Sequence, residues 1–125
     1  MAQAAGSSVR SHCVGTTAVI YASDYLNKLT GERIERECRR QLDCGCRALV
    51  IDFAETELVN SIGISILLSV IEAINDAEGK LALSNLSPSN HELFDMLGLL
   101  SCINVEKTEE AALAKLHEEA GLVVR

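Results

Sequence analysis

A short apolar run at residues 48–53 (Ala-Leu-Val-Ile-Asp-Phe) constrains the fold of this chain more than any other sequence feature. The run is nearly uninterrupted by polar residues, which is typical of a strand that is covered on both faces. Segments with the apolar spacing of helices precede and follow it. Strands that alternate with helices form a mostly parallel sheet through right-handed crossovers, so the run predicts an α/β fold.

One helix is predicted before this run and one after it. In the first, Thr30 is the expected cap, Leu29 and Ile34 occupy the staple positions around it, and Gly45 ends the helix. The second is expected at residues 64–77 and is apolar on most sides in its first half, which predicts heavy burial. The core residues expected from it are Ile64, Leu67, Leu68 and Ile71.

The remaining predicted elements complete the alternation. They are two short strands or one bent strand within residues 8–21, a strand at 80–84, a helix begun by Ser87 and Pro88 with Leu93, Phe94 and Leu97 facing inward, a strand at 102–105, and a helix capped by Thr108 with Ala112 and Leu116 facing the core. This order predicts one α/β domain with a mostly parallel sheet of four to five strands and about four helices. We expect a flexible leader at 1–7, the domain at 8–121 and a tail at 122–125.

Length and charge exclude several classes of function. A chain of 125 residues has room for one domain core. With 18 acidic residues against 11 Lys and Arg, the net charge of −7 would repel nucleic-acid phosphates. The longest apolar stretch, residues 62–71, is shorter than the roughly 20 residues of a membrane-spanning helix. Residues 1–12 lack the apolar core of an export signal, so a cytoplasmic location with reduced thiols is expected.

Residues that common enzyme mechanisms require are missing from the sequence. No Gly-x-Gly-x-x-Gly turn and no phosphate-binding P-loop occurs. Asp52 ends a predicted buried strand, as the phosphate-accepting aspartate of a response-regulator receiver does. However, the first strand region offers only Asp24 as a neighbouring carboxylate, and Glu106 precedes Lys107 after the last strand. We therefore expect no enzyme activity and no cofactor.

Cys44-Gly45-Cys46 is the one local pair that could hold a soft metal or form a redox couple. Zinc needs three or four ligands, and no second pair at ligand spacing accompanies these cysteines. We interpret them as residues that flank a helix-ending glycine by chance, and we expect no metal site. An enzyme or a thiol-based sensor built on this pair is the rival hypothesis.

Two segments of the chain, residues 49–53 (Leu-Val-Ile-Asp-Phe) and 60–67 (Asn-Ser-Ile-Gly-Ile-Ser-Ile-Leu), resemble the central signature of the STAS family, named for sulfate transporters and anti-sigma-factor antagonists. In that family a buried strand is followed by Asp-Ser-(Ser/Thr)-Gly-(Leu/Ile) at the start of an apolar helix. Residues 24–27 (Asp-Tyr-Leu-Asn) lie where the family commonly has Gly-Glu-Leu-Asp, and residues 93–99 resemble its Leu-Phe-x-x-x-Gly-Leu. The resemblance covers essentially the whole domain and implies a STAS-like fold.

The resemblance also implies a non-enzymatic regulatory module. Antagonists of this family bind an anti-sigma factor that is also a serine kinase, and phosphorylation of the Ser or Thr before the signature glycine ends that binding. This chain has Ile62 at that position, and Asn27 and Asn60 stand at the two family Asp positions. Ser61 lies one residue earlier than the family phosphorylation site, and we predict that it caps the helix rather than accepting a phosphate.

The residues predicted to bind the partner are Tyr25, Asn27, Asn60, Ser61, Ile62 and Gly63. The expected partner is an anti-sigma factor or another serine-kinase-type regulatory protein, bound without the usual phosphorylation switch. This interpretation requires Ile62 to be exposed. In the alternative interpretation, the helix N-terminus near Gly63 binds a nucleotide or an anion. The sequence leaves the oligomeric state open.

Overall fold

Residues 9–101 and 103–119 are described by the computed structural model. The strands, in chain order, are β1 (Ser11–Val14), β2 (Thr17–Tyr21), β3 (Tyr25–Leu26), β4 (Ala48–Asp52), β5 (Leu58–Val59), β6 (Lys80–Ser84) and β7 (Asn104–Glu106). The helices are α1 (Lys28–Asp43), α2 (Ser61–Asp76), α3 (Pro88–Met96) and α4 (Glu109–Glu119).

Five of the strands form one sheet in the order β1-β2-β4-β6-β7. β1 and β2 pair antiparallel, and all other neighbours in this sheet pair parallel. The predicted α/β class, with a mostly parallel sheet and about four helices, is therefore confirmed by the described part of the chain, which contains four helices. β3 and β5 form a separate two-stranded parallel ladder. Neither of these strands is predicted from the sequence, because two residues are too few to show a period.

Helices cover both faces of the sheet, which explains why every residue of β4 is buried. On one face the core residues of the sheet pack with those of α1, α2 and α3, and Phe53 meets Phe94 edge to face at a ring distance of 5.8 Å. On the other face α4 packs against the sheet. That second core contains Val19, Ala48, Val50, Ala82, Ala112 and Leu116.

The first helix begins earlier than the sequence predicted. Asn27, not Thr30, is its N-cap, because Asn27 Oδ1 accepts the Thr30 N–H at 3.0 Å and Thr30 Oγ1 accepts the Asn27 N–H at 3.0 Å. This reciprocal pair is a capping box. The predicted staple of Leu29 and Ile34 is also wrong, since Leu29 lies inside the first turn and is 54% exposed. Gly45 does follow the end of α1, with φ +104°.

The second helix also begins a turn earlier, at Ser61. Its N-cap is Asn60, whose Oδ1 accepts the Gly63 N–H at 2.8 Å, so the prediction that Ser61 caps the helix is wrong. Leu68, expected in the core, is 44% exposed because it lies at the edge of the helical stripe that faces the sheet. The other predicted core residues are buried, namely Ile64, Leu67 and Ile71.

The starts of α3 and α4 are confirmed. Ser87 Oγ accepts the Asn90 N–H at 3.1 Å, and Thr108 Oγ1 accepts the Ala111 N–H at 3.1 Å. Leu97, expected to face inward, is instead the C-cap of α3 and is 54% exposed, because the helix ends there.

Some predictions concern residues outside the described part of the chain. Cys102, the leader at 1–7 and residues 122–125 of the predicted tail lie outside it. The strand expected at 102–105 corresponds to β7. No helix within residues 9–101 and 103–119 is long and apolar enough to cross a membrane.

Candidate functional site

The N-termini of α1 and α2 lie next to each other because β3 and β5, which lead into them, are paired. The two strands run parallel, with Leu26 opposite Val59. Asn60 then donates its backbone N–H to the Leu26 carbonyl at 2.9 Å. The structure thereby brings together the residues that the sequence predicted for partner binding: Tyr25, Asn27, Asn60, Ser61, Ile62 and Gly63.

Tyr25 connects the caps of the two helices. Its carbonyl accepts a hydrogen bond from Thr30 Oγ1 at 2.6 Å, within the capping box of α1. Its hydroxyl accepts a hydrogen bond from Asn60 Nδ2 at 3.3 Å, beside the cap of α2. Asn60 thus uses its amide oxygen for Gly63 and its amide nitrogen for Tyr25. An aspartate at this position has no nitrogen with which to donate the second bond.

Gly63 permits a close approach between α2 and β3. A Cβ atom at this position would lie 2.4 Å from the Leu26 carbonyl oxygen and 2.7 Å from its carbonyl carbon. The same carbonyl oxygen accepts the Asn60 N–H, so the contact holds the start of α2 against the strand. Gly63 is buried and offers little surface to a partner. Its role is to position the neighbouring residues through this close contact.

Four exposed apolar side chains surround the helix starts, and we call this set the apolar tip. Ile62 is 50% exposed, which meets the exposure that the partner-binding prediction requires and leaves binding itself a prediction. The other members are Tyr25, Leu29 and Leu58, of which Leu58 is 62% exposed. The sequence predicts neither Leu29 nor Leu58 as a binding residue. A signal for Leu58 is present in the sequence. This apolar residue follows an acidic loop and belongs to no helix or strand pattern that would predict its burial.

The helix starts carry no carboxylate. Neither α1 nor α2 has an acidic residue in its first turn, and both caps are neutral amides. The partial positive charge of these helix ends is therefore not offset within the turn. However, the Thr30 and Gly63 N–H groups already donate to the capping side chains. The surface is therefore better suited to apolar contact than to binding an anion.

Asp52 has a structural environment rather than that of a phosphate acceptor. It is buried, and its oxygens accept hydrogen bonds from the Ala54 N–H at 3.0 Å, Ser84 Oγ at 2.7 Å and Asn85 Nδ2 at 2.6 Å. These bonds fix the turns that follow β4 and β6. Within the described ranges, no group of three or more His, Cys, Asp or Glu residues is arranged to hold a metal ion.

The cysteines fall into different environments. Cys38 lies in the core, and burial, with a smaller effect of Glu37 and Glu35, raises the pKa of its thiol to about 12. Cys46 is also buried, whereas Cys44 is exposed. Cys13, which the sequence does not connect with Cys44 and Cys46, lies on β1 beside Cys46.

These observations define a class of protein: a small α/β domain that presents an apolar tip where two neutrally capped helices begin. The chain belongs to the STAS domain family, whose model matches residues 9–112.

Three proteins illustrate the similarity. The chain is 33% identical over 89 residues to BtrV of Bordetella bronchiseptica, described as a candidate anti-sigma factor antagonist, with 71% of this chain and 77% of that protein covered. It is 28% identical over 97 residues to the anti-sigma F factor antagonist of Paenibacillus polymyxa, with 78% and 77% covered. The unphosphorylated form of the anti-sigma factor antagonist SpoIIAA superimposes with a TM-score of 0.74 at 22% identity, with 94% and 100% covered. That structure has the same fold.

Proposed function

We propose that this chain is a non-enzymatic regulatory module that binds, through the apolar tip, a serine-kinase-type anti-sigma factor or a related regulatory protein in the cytoplasm. The two sequence relatives described as anti-sigma factor antagonists support the class of partner. The observation that carries the proposed contact surface is the 50% exposure of Ile62 beside a rigid cap.

The exposed apolar side chains give this surface a physical reason to bind. Full burial of a large aliphatic side chain contributes about 1.5–3 kcal/mol, so burying the remaining half of Ile62 contributes about 1 kcal/mol. Leu29 and Leu58 are more exposed than Ile62 and would contribute similar amounts. The hydrogen bonds around Tyr25 and Asn60 already order the surface, which lowers the entropic cost of binding.

We further propose that the contact lacks a covalent off-switch. Ile62 has no hydroxyl group, and the adjacent Ser61 is an exposed residue in the first turn of α2. Ser61 also lies one residue earlier than the position that the family phosphorylates, so a kinase that acts on that position meets Ile62 instead. Incubation with the cognate kinase and ATP, followed by mass spectrometry, should leave Ser61 unmodified. Stoichiometric phosphate on Ser61 would overturn this part of the proposal.

The binding surface is tested by Ile62→Glu, with Leu68→Glu as the matched control. Both residues are exposed apolar positions of α2, but they lie on different sides of the helix. A partner recovered from the source cell with the wild-type chain should bind Ile62→Glu about 30-fold more weakly, because a carboxylate would be desolvated in the contact.

The Leu68→Glu variant should bind that partner with wild-type affinity, and both variants should keep the wild-type circular dichroism spectrum. Equal affinities of the wild type and Ile62→Glu would show that the contact surface lies elsewhere.

Ligand sensing at the N-terminus of α2 remains the alternative. It receives less support, because the Gly63 N–H already donates to Asn60 Oδ1 at 2.8 Å. Calorimetric titration with ATP, GTP and inorganic phosphate should therefore give no binding heat. Binding that is lost in Gly63→Ala and kept in Ile62→Glu would favour the alternative.

A further inference from the structure

Two thiols from distant parts of the chain meet at one amide oxygen. Cys13 Sγ donates to Gln41 Oε1 at 3.3 Å, and Cys46 Sγ donates to the same oxygen at 3.4 Å. Cys13 lies on β1, whereas Cys46 lies in the turn between α1 and β4. Both sulfur atoms therefore lie within hydrogen-bonding distance of a single acceptor.

The position of this acceptor is held by a hydrogen-bond network. Gln41 Nε2 donates to Glu37 Oε2 at 2.9 Å, which directs the amide oxygen toward the sulfurs. Glu37 in turn accepts hydrogen bonds from Arg40 Nη2 at 2.6 Å and from Ser11 Oγ at 2.7 Å. Because Ser11 belongs to β1, the network also places that strand, and with it Cys13, beside the end of α1.

The two thiols differ in access to solvent. Cys13 is exposed, while Cys46 is 9% exposed. Burial, followed by the neighbouring Cys13 and Cys44, raises the pKa of the Cys46 thiol above its ordinary value. Cys13 is therefore the thiol that a solvent-borne reagent meets first, and Cys46 is the neighbour that can react with the product.

Cys13 lies on the outermost described strand of the five-stranded sheet. Among the described residues, β1 pairs only with β2. The tight turn that joins β1 to β2 contains Gly15, with φ +63°. A disulfide needs a sulfur separation of about 2 Å, so both sulfurs must leave Gln41 Oε1 when the bond forms.

We propose that Cys13 and Cys46 form an oxidant-responsive thiol pair, which a peroxide converts into an intramolecular disulfide that ties β1 to the turn between α1 and β4. This site lies at the C-terminal end of α1, away from the apolar tip at the start of that helix. The inference does not depend on the proposed function.

The chemistry balances with hydrogen peroxide as the oxidant. The Cys13 thiolate attacks one peroxide oxygen, the O–O bond breaks, and the leaving hydroxide takes up the thiol proton to become water. Cys13 is then a sulfenic acid. The Cys46 sulfur attacks the Cys13 sulfur, the S–O bond breaks, and the second oxygen leaves as water with the Cys46 proton. The two thiols lose two electrons in total, and peroxide is reduced to two waters.

Peptide mapping of the full-length chain tests the pair directly. After treatment with hydrogen peroxide at low protein concentration, the intact mass should fall by the two hydrogens of one disulfide. Trypsin should then release residues 11–28 linked to residues 41–47, the peptides that contain Cys13 and the Cys44-Gly45-Cys46 segment. Cys44→Ser should keep this linked peptide, whereas Cys13→Ser and Cys46→Ser should each lose it.

A stability measurement gives a second, independent readout. Because the disulfide closes a long loop, oxidation of the wild type and of Cys44→Ser should raise Tm by about 10 °C. Oxidation of Cys13→Ser, whose substituted side chain is exposed, should leave Tm unchanged. A wild type with no linked peptide, a bridge that survives Cys46→Ser, or disulfides formed only between molecules would each overturn the proposal.

Discussion

Replacement of Gly63 by alanine tests the contact on which the whole tip depends. The new Cβ would lie 2.4 Å from the Leu26 carbonyl oxygen, so the strand and the helix must separate. Packing strain of this kind costs about 1–3 kcal/mol. The shift also weakens the Asn60 hydrogen bond to the same oxygen, which contributes about 1 kcal/mol. Against these losses stands a gain of up to about 1 kcal/mol in helix propensity, so we expect a net destabilisation of about 2 kcal/mol.

The assay is urea unfolding, with Gly31→Ala as the matched control. Gly31 is also a buried helical glycine, but a Cβ there would meet side-chain atoms, Ile66 Cβ and Cγ2, at 3.3 Å. A side chain can adjust where a backbone carbonyl cannot, so this variant should stay within about 1 kcal/mol of the wild type. The unfolding midpoint of Gly63→Ala should fall by about 1–2 M urea.

The result that contradicts this reasoning is a Gly63→Ala variant at least as stable as Gly31→Ala. Such a result would mean that the start of α2 does not press against the Leu26 carbonyl. The geometry assigned to Ile62 and Asn60 would then also be wrong, because both residues are placed by that contact.

Two further predictions concern the caps and the acid stability of α1. Asn27→Ala should lower the free energy of unfolding by about 1 kcal/mol in urea titrations, because the Thr30 N–H loses its acceptor; wild-type stability would contradict the capping box. Burial alone would raise the pKa of Glu37, but hydrogen bonds from Arg40, Ser11 and Gln41 outweigh burial and lower it from 4.5 to about 2. Glu37 therefore stabilises the fold above pH 4.5, and this contribution is lost as the pH falls toward 2. Unfolding measured from pH 6 to pH 3 should show a flatter decline for Glu37→Gln, and an equally steep one would refute the assignment.

The fold was predictable because its strongest signals are local. The apolar run at residues 48–53 predicts a strand covered on both faces, whatever the rest of the chain does. Ser87 caps α3 through its side-chain hydroxyl, next to Pro88 at the first helical position, and the Thr108 hydroxyl caps α4 in the same way. Such features act within one turn, so neighbouring residues along the chain are enough to recognise them.

The candidate site was only partly predictable. The signature around Gly63 indicates the segment where the two helix starts meet. The sequence predicts Thr30 and Ser61 as caps, whereas Asn27 and Asn60 cap the two helices. At each helix start, two side chains that can cap a helix lie close together in the sequence. Which of the two becomes the N-cap depends on where the preceding strand ends. That point is fixed by the β3–β5 ladder, whose strands are too short to recognise in a sequence.

Residue order alone therefore determined the alternation of strands and helices, the burial of β4 and the absence of a hydroxyl group before Gly63. Tertiary structure decided which side chains cap the helices, that a Cβ at residue 63 would press against the Leu26 carbonyl, and that Cys13 and Cys46 share the Gln41 acceptor. The physical reason is the range of the interactions. Apolar periodicity and turn chemistry act between near neighbours in the chain, whereas close backbone approach and thiol pairing depend on strand register between segments that are distant in sequence.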